Sequence, residues 1–293
     1  MSVCRSYLFV PAKELSIINK AINSEADSVI IDLEDAVAYS EKNNARELVK
    51  ESLQKLNNQK PVYVRINDIG TPFWEEDLAY SVQYGAHGVI VPKSENPEDI
   101  SYICKRIREM TQNKNGTVLR ETNDSNSFEV IPLLETAKGI QFAYEIAKSD
   151  SLVSKLAFGS IDYSLDIGCQ LSSSGDELLY ARSRIVVGSR AADREGPIDA
   201  VFPSLNNPGG LEYEATQAKK LGFKGKLTIH PKQVDIVNNL FMPGDEELRE
   251  AREIVEQFEK AEQEGLASIS VNGNLVDYPV YKKAKEVLNF VIA

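Results

Sequence analysis

The sequence predicts an α/β fold, a closed (β/α)8 TIM barrel with a C-terminal arm of helices and a hairpin. Short apolar runs alternate with segments of helical periodicity about eight times over roughly 240 residues, a pattern typical of parallel strands connected by helices. Charged residues follow most of these runs, as expected where barrel strands end at an active site. A doubly wound sheet is disfavoured because no GxGxxG motif follows the first strand. We expect the barrel over residues 1–242 and the arm over residues 243–293.

The barrel strands are predicted from the apolar runs at 7–10, 28–32, 62–66, 88–91, 129–134, 156–158, 198–202 and 226–229. Apolar residues then recur at helical spacing in the segments 14–23, 41–56, 73–84, 97–111, 138–148, 177–193, 212–221 and 231–240. Residues 112–127 lack this periodicity and are rich in Asn, Thr, Ser and charge, which predicts an exposed loop.

The arm is predicted to contain a helix at 246–264, a hairpin at 267–276 and a last helix at 280–290. Asn272 and Gly273 form the hairpin turn, because this dipeptide is preferred in two-residue turns. The arm is too short to hold a core of its own. We therefore expect it to pack on the barrel or on a neighbouring subunit.

Composition and charge exclude several classes of partner. The chain has 293 residues and a net charge of −11, with no long block of like charges, which argues against binding to nucleic acid or to anionic membranes. No apolar stretch approaches the roughly 18–20 residues that span a bilayer. The N-terminus does not have the order of a signal peptide, and Cys4, Cys104 and Cys169 lack any paired spacing. We expect reduced thiols and a cytoplasmic protein.

Polar side chains collect where the predicted strands end. In a barrel of this kind the reacting groups lie at the C-terminal ends of the strands. The candidates at these ends are Lys13, Asp32, Glu34, Asp35, Arg65, Asn67, Lys93, Glu135, Asp162, Asn206, Asn207 and His230.

Glu135 and Asp162 follow successive strands and are predicted to bind one divalent cation. Oxygen ligands without a nearby His or Cys favour Mg²⁺ over zinc. The alternative is that both acids stabilise the N-termini of the helices that follow them. The residue types and their spacing leave both possibilities open.

Arg65 ends a buried strand, so its charge has to be paired with an anion. Its guanidinium can hold a substrate carboxylate or a developing oxyanion, or it can form a salt bridge to Asp32 or Glu34. These roles are compatible. Asp32, Glu34 and Asp35 are predicted to support the ligands rather than to bind the metal directly.

Three further residues have two interpretations each. Lys93 is either a charge at the rim or an active-site cation. His230, directly before Pro231, is expected to start a helix rather than to act as a base. Lys13 is either a solvated surface lysine or a contact for a phosphate.

A series of short motifs runs through the chain in a specific order and spacing. They are RSYLFVP at 5–11, DLEDA at 32–36, VRIN at 64–67, VPK at 91–93, LETAKG at 134–139, FGSID at 158–162, ID at 198–199, GFKGKLTIHP at 222–231 and GNLVDYP at 273–279. By these motifs the chain resembles the HpcH/HpaI aldolase and citrate lyase β-subunit superfamily. The resemblance extends over nearly the whole length and is specific to the branch with malyl-CoA and citramalyl-CoA lyases.

The resemblance implies roles for particular residues. Glu135 and Asp162 match the two Mg²⁺ ligands of the family, and Arg65 matches its substrate arginine. Asp277 matches an aspartate of the C-terminal arm that acts as acid and base, in relatives usually at the site of a neighbouring subunit. From its position alone Asp277 would be assigned to a turn.

The resemblance also suggests Lys13 and Arg5 as contacts for the phosphates of coenzyme A. The chain departs from the pattern after the first strand, where Ala12 and Lys13 replace a common Gly-Asn or Gly-Asp, and at 203–210, where relatives often carry an aspartate before the glycine. These departures concern the acyl-CoA pocket and leave the metal pair intact.

The implied activity is a Mg²⁺-dependent cleavage of a 3-hydroxyacyl-CoA, of citramalyl-CoA or malyl-CoA type, to acetyl-CoA and an α-keto acid. One alternative is a citrate lyase β subunit that acts on a citryl group on an acyl-carrier protein within a complex. Another is a malyl-CoA thioesterase-like enzyme, and a non-catalytic binding subunit is disfavoured by the intact site residues. The resemblance implies a homotrimer or hexamer with a small-molecule acyl-CoA substrate.

Overall fold

The computed structural model describes residues 4–55, 60–112 and 128–292. The chain divides into two compact units, residues 4–239 and residues 240–292. The predicted boundary was between residues 242 and 243. The exposed loop predicted for 112–127 lies outside the described residues, except for Gln112, which ends a helix.

The first unit is a closed barrel of eight parallel strands in sequence order, which confirms the predicted fold class. The strands are β1 (Ser6–Pro11), β2 (Ser28–Asp32), β3 (Val62–Arg65), β4 (Gly88–Val91), β5 (Glu129–Leu134), β6 (Ala157–Phe158), β7 (Ile198–Asp199) and β8 (Gly225–Thr228). The barrel closes where β1 pairs with β8, with Ser6 opposite Lys226.

Helices follow the strands around the barrel. They are α1 (Leu15–Ile22), α2 (Lys42–Gln54), α3 (Trp74–Tyr84), α4 (Pro97–Gln112), α5 (Ala137–Gln141), α6 (Ala143–Lys148), α7 (Ser160–Ile167), α8 (Leu179–Ala191), α9 (Pro208–Leu221) and α10 (Val234–Phe241). Within the described residues, no helix has the length and apolar character needed to cross a membrane.

Three elements differ from the prediction. Helix α7 was not predicted, because its apolar residues do not form a buried stripe: Leu165 is 81% exposed and Ile161 is 44% exposed. The single helix predicted at 138–148 is two helices that meet at Phe142. Strand β7 has two residues instead of the predicted five. Only Ile198 and Asp199 pair with β8, and the residues from Ala200 to Phe202 continue the chain without strand pairing.

The interior of the barrel is filled by apolar side chains from all eight strands. Its buried core consists of Tyr7, Ile30, Tyr63, Ile90, Ile131, Leu133, Ala157, Ile198 and Leu227. These positions alternate with residues that face the surrounding helices, as the two-residue period of a strand requires. The interior of the barrel is therefore a packed core, and space for a pocket remains beyond it, at the C-terminal ends of the strands.

A buried network of charges lies between the barrel and its helices. Asp199 of β7 and Lys226 of β8 are fully buried, with 2.6 Å between Oδ2 and Nζ. Arg182 of α8 donates to Asp199 at 2.8 Å, and Glu214 of α9 lies 2.6 Å from Lys226. Burial alone would raise the pKa of Asp199, but the two cations outweigh it and hold the pKa below its ordinary value. Each charge of the network depends on the others.

The second unit contains α11 (Asp245–Gln263), β9 (Ser268–Val271), β10 (Asn274–Asp277) and α12 (Tyr278–Ile292). Phe258 is fully buried against Val271 and Val276, and its ring stacks on Tyr281 with centroids 4.8 Å apart. The expectation that the arm has no core of its own is therefore wrong, because a few aromatic and branched side chains suffice for a small cluster.

The arm hairpin turns as predicted. Asn272 and Gly273 have φ values of +51° and +79°. A two-residue turn that matches the twist of the strands requires positive φ at both residues. Asn-Gly is the dipeptide that adopts this conformation most readily.

Asp199→Asn is expected to lower the free energy of unfolding by about 3–5 kcal/mol, because it leaves two buried cations with one remaining carboxylate. Urea denaturation followed by circular dichroism measures the change. Glu256→Gln is the matched control, since Glu256 and its partner Lys260 are both exposed and solvent screens such a pair. Equal stability of the two variants would contradict the prediction.

Candidate active site

A pocket of about 460 Å³ opens at the C-terminal ends of the barrel strands. One part of its wall is polar, with Asp32, Asp35, Arg65, Glu135 and Asp162. The rest is largely apolar, and its side chains include Phe9, Leu133, Phe158, Val201, Leu227 and Ile229. The structure therefore brings the predicted metal pair, the predicted substrate arginine and two of the three supporting acids into one cavity. Glu34, the third acid, contacts Arg65 directly.

Arg65 is held by three carboxylates, Asp32 at the end of β2 and Glu34 and Asp35 of the segment after it. Its Nε and Nη2 donate to the two oxygens of Asp32, both at 2.7 Å. Nη1 lies 3.0 Å from Glu34 Oε2 and 3.6 Å from Asp35 Oδ2. Burial would lower the pKa of Arg65, but these acids outweigh it and raise the pKa, so the guanidinium stays charged. Both sequence interpretations of Arg65 thus hold together: it is salt-bridged, and it lines the pocket.

Glu34 connects Arg65 to Lys93. Glu34 Oε1 accepts a hydrogen bond from Lys93 Nζ at 2.5 Å, while Oε2 contacts Arg65 without hydrogen-bond alignment. Burial raises the pKa of Glu34, and the two cations oppose this rise. Lys42 fixes the loop after β2, because its Nζ donates to the carbonyl oxygens of Leu33 and Glu34 at 2.6 and 2.7 Å. Lys93 is therefore paired at the site.

Glu135 directly follows β5 and is 2% exposed. Its Oε1 accepts a hydrogen bond from the backbone N–H of Lys93 at 2.7 Å. Burial, with the charges of Glu34 and Asp162, raises the pKa of Glu135 to about 8, although the Lys93 N–H and Arg65 oppose the rise. Glu135 does not cap the following helix, since Thr136 does so through a hydrogen bond from Gly139 N. The capping alternative is wrong for this residue.

Asp162 lies in the first turn of α7, half-buried and on the pocket wall. Its position explains why its charge acts on Glu135. Two carboxylates that converge in a buried pocket repel each other, and a divalent cation between them removes that repulsion. Within the described residues no third His, Cys, Asp or Glu completes a ligand cluster. The pair fits Mg²⁺, which keeps several positions for water and substrate.

Gly159 provides the space that Glu135 occupies. A Cβ on Gly159 would lie 2.6 Å from both Cβ and Oε2 of Glu135. The FGSID segment thus places a residue without a side chain against the first carboxylate and the second carboxylate three residues later. Sequence reasoning had assigned no role to this glycine, although its position directly after β6 was the available signal.

Other predicted candidates lie outside the pocket. Lys13 is exposed in the β1–α1 loop, at the same end of the barrel as the pocket. Arg5 precedes β1 and so lies at the opposite end, where its guanidinium pairs with Asp27 at 2.8 and 2.9 Å. The structure does not bring Arg5 to the site. The RSYLFVP motif begins at Arg5 and continues through β1, which ends at the pocket. The sequence therefore associated Arg5 with the site, although it lies at the other end of the strand.

The remaining polar candidates have structural contacts. Asn67 donates to Leu33 O and to Asp77. Asn207 caps α9 by accepting from Gly210 N at 3.0 Å, and Asn206 is exposed. His230 caps a short 3₁₀ turn through Nδ1, as expected for a helix-start residue.

Asp277 belongs to the second unit and ends β10. Its Oδ1 accepts a hydrogen bond from Val280 N at 3.2 Å, and its side chain is half-buried. Because Asp277 directly precedes α12, this is the contact of a helix N-cap residue, so the assignment to a turn is replaced by a capping role.

The fold and the site define a (β/α)8-barrel enzyme with its polar groups at the C-terminal ends of the strands. The chain belongs to the HpcH/HpaI aldolase/citrate lyase family, whose model matches residues 5–231. The resemblance in the motifs is thereby confirmed, and membership makes the chain a lyase.

Named relatives match over almost the full chain. The citrate lyase subunit beta of Escherichia coli (strain K12) is 35% identical, over 97% of this chain and 92% of the relative. The mitochondrial citramalyl-CoA lyase of Rattus norvegicus is 28% identical, over 97% and 85%. The solved structure of protein CitE from Mycobacterium tuberculosis, in complex with magnesium, acetoacetate and coenzyme A, is 28% identical over 99% of both chains, with a TM-score of 0.80.

Gly159→Ala is expected to weaken Mg²⁺ binding at least tenfold, because the added methyl group displaces the Glu135 carboxylate. Isothermal titration with MgCl₂ measures the affinity. Gly209→Ala is the matched control, since its Cβ would meet nothing within 4 Å. Unchanged Mg²⁺ affinity in Gly159→Ala would contradict the expected displacement of Glu135 from the metal site.

Proposed function

We propose that the chain is a Mg²⁺-dependent carbon–carbon lyase. Its substrate is a 3-hydroxyacyl-CoA of citramalyl-CoA or malyl-CoA type, which it cleaves to acetyl-CoA and an α-keto acid. The observation that carries this proposal is the convergence of Glu135, Asp162 and the charged guanidinium of Arg65 on one pocket. That arrangement suits a substrate with an oxyanion to stabilise and a carboxylate to bind.

The relatives support the chemistry. Citramalyl-CoA lyase is the name of relatives that align over 97% of this chain. Solved structures of protein CitE from Mycobacterium tuberculosis contain magnesium with acetoacetate and coenzyme A, or magnesium with pyruvate. A keto acid, a metal and coenzyme A are the components that the proposed reaction requires.

The reaction breaks one carbon–carbon bond and moves one proton from oxygen to carbon in two transfers: the substrate hydroxyl gives its proton to a base, and the enolate carbon takes one from an acid. The hydroxyl group of the substrate becomes the keto group of the released acid as the bond to the thioester α-carbon breaks. The electron pair stays on that carbon as a thioester enolate, which takes a proton and becomes acetyl-CoA. When bound, Mg²⁺ supplies Lewis-acid polarisation of the keto oxygen and orients the carboxylate.

Glu135 and Asp162 would hold the metal through their oxygens. Arg65 contributes a fixed positive charge to the pocket, because its contacts with Asp32 prevent the guanidinium from turning away. Such a charge stabilises negative charge that develops on a substrate oxygen, and it needs no reorganisation during the reaction. The apolar part of the wall limits water around the enolate, which would otherwise compete for this interaction.

Asp277 is proposed as the acid that protonates the enolate carbon, and as the base in the reverse direction. The family resemblance carries this assignment, together with a homotrimer or hexamer in which the arm serves a neighbouring subunit. Light scattering of the purified protein tests the oligomer.

A second candidate is a citrate lyase β subunit that acts on a citryl thioester of an acyl-carrier protein. The 35% identity to the citrate lyase subunit beta of Escherichia coli favours it. The two candidates share the metal pair and differ in the carrier of the thioester.

The purified chain is expected to cleave citramalyl-CoA or malyl-CoA in the presence of Mg²⁺ and to lose activity on chelation. Release of acetyl-CoA and of the keto acid is followed by chromatography, with citryl-CoA assayed in parallel. Glu135→Ala is expected to lose at least 10³-fold in kcat/KM, because it removes a metal ligand. Free CoA without a keto acid would indicate a thioesterase, and no cleavage of any free thioester would favour the carrier-protein candidate.

Asp277→Asn is expected to keep Mg²⁺ and substrate affinity and to lose at least 10²-fold in kcat, since the amide cannot donate the proton. Steady-state kinetics and titration calorimetry measure both. If the arm serves a neighbour, a mixture of Asp277→Asn and Glu135→Ala subunits regains activity after subunit exchange. Wild-type turnover in Asp277→Asn would exclude the acid–base role.

A further inference from the structure

Lys93 has an unusual backbone conformation at the site. Its φ is +46°, in the left-handed region that residues with a side chain rarely adopt. The sequence offers no glycine here, although glycine would adopt this conformation without strain. A strained residue that persists beside a pocket has to be held in place by its surroundings.

The surrounding turn supplies that restraint. Ser94 N donates to Leu133 O of β5 at 3.2 Å, and Ser94 Oγ donates to Val91 O at 2.8 Å. Gly139 of α5 lies so close that a Cβ there would be 2.5 Å from Ser94 O. The chain after β4 is thus fixed between β5 and α5.

The left-handed conformation allows Lys93 to use its backbone and its side chain at once. The N–H donates to Oε1 of Glu135 at 2.7 Å. The Nζ donates to Oε1 of Glu34 at 2.5 Å, and Glu34 in turn contacts Arg65. One residue therefore links the proposed metal ligand to the carboxylate beside the proposed substrate arginine.

We propose that Lys93 is a positioning residue with two separable actions. Its backbone N–H orients Glu135 for the metal. Its ammonium group fixes the position of Glu34, so that Glu34 does not draw the Arg65 guanidinium away from the pocket. This inference rests on the proposed function for its kinetic part. It assigns Lys93 no contact with the substrate.

The two actions respond to different substitutions. Lys93→Met keeps an unbranched side chain and the backbone contact but removes the charge. We expect at least a tenfold lower kcat, because Glu34 loses its cation and draws the Arg65 guanidinium toward itself, and we expect a Kd for Mg²⁺ within threefold of wild type. Lys93→Val has a branched Cβ that disfavours positive φ, so we expect the N–H to move and Mg²⁺ to bind at least tenfold more weakly.

Two further variants separate positioning from a general loss of structure. Lys93→Gly removes the side chain and relieves the backbone, so we expect the low kcat of Lys93→Met with a melting temperature at least equal to that of Lys93→Met. Lys93→Arg restores the cation and is expected to recover most of the lost kcat. Lys105→Met on α4 is the matched control, because Lys105 is 69% exposed and 3.9 Å from its partner Glu109.

Titration calorimetry with MgCl₂ and steady-state kinetics decide the inference. Wild-type kcat in both Lys93→Met and Lys93→Gly would overturn the side-chain action, and wild-type Mg²⁺ affinity in Lys93→Val would overturn the backbone action. The inference and the proposed function fail in different ways. A wild-type protein that binds Mg²⁺ but cleaves no thioester removes the function, whereas the effect of Lys93→Val on Mg²⁺ affinity still tests the backbone action.

Discussion

The guanidinium of Arg65 is largely enclosed at the end of a barrel strand, and the rest of the site follows from the need to surround it with anions. Asp32 at the end of β2, with Glu34 and Asp35 of the loop after it, meets that need. The two buried acids, Asp32 and Glu34, have to be balanced in turn. Lys93 supplies one positive charge to Glu34, and the pocket gains a fixed field at the position where a substrate anion is proposed to bind.

The same requirement explains why charges occur in pairs elsewhere in the barrel. Asp199 and Lys226 face the helices at full burial, and Arg182 and Glu214 complete their contacts. This network resembles the site in composition, but none of its four residues lines the pocket at the strand ends. The difference lies in position: the side chains of the network point from the strands toward the helices, whereas Arg65, Glu135 and Asp162 line the pocket at the strand ends.

The fold and the central residues were accessible from sequence because their signals are local. Each strand and the acid or arginine after it are adjacent in the chain, and parallel strands place all such ends together. The contact between Lys93 and Glu34 spans 59 residues and depends on barrel register and on a left-handed φ, which no local pattern encodes. Helix α7 was missed because it has no buried apolar stripe. Arg5 was assigned to the site because its motif as a whole was placed there. The motif spans strand β1, however, and the two ends of a strand lie at opposite ends of the barrel.

Closure of the barrel has a consequence for biosynthesis. Ser6 of β1 pairs with Lys226 of β8, so the first strand obtains its second neighbour only after about 220 more residues have been translated. At roughly 5–20 residues per second this takes about 10–40 s, during which one edge of β1 is unpaired. An open strand edge is a template for intermolecular pairing. The nascent chain thus exposes this edge until its last barrel strand leaves the ribosome, and a truncation before β8 makes that exposure permanent.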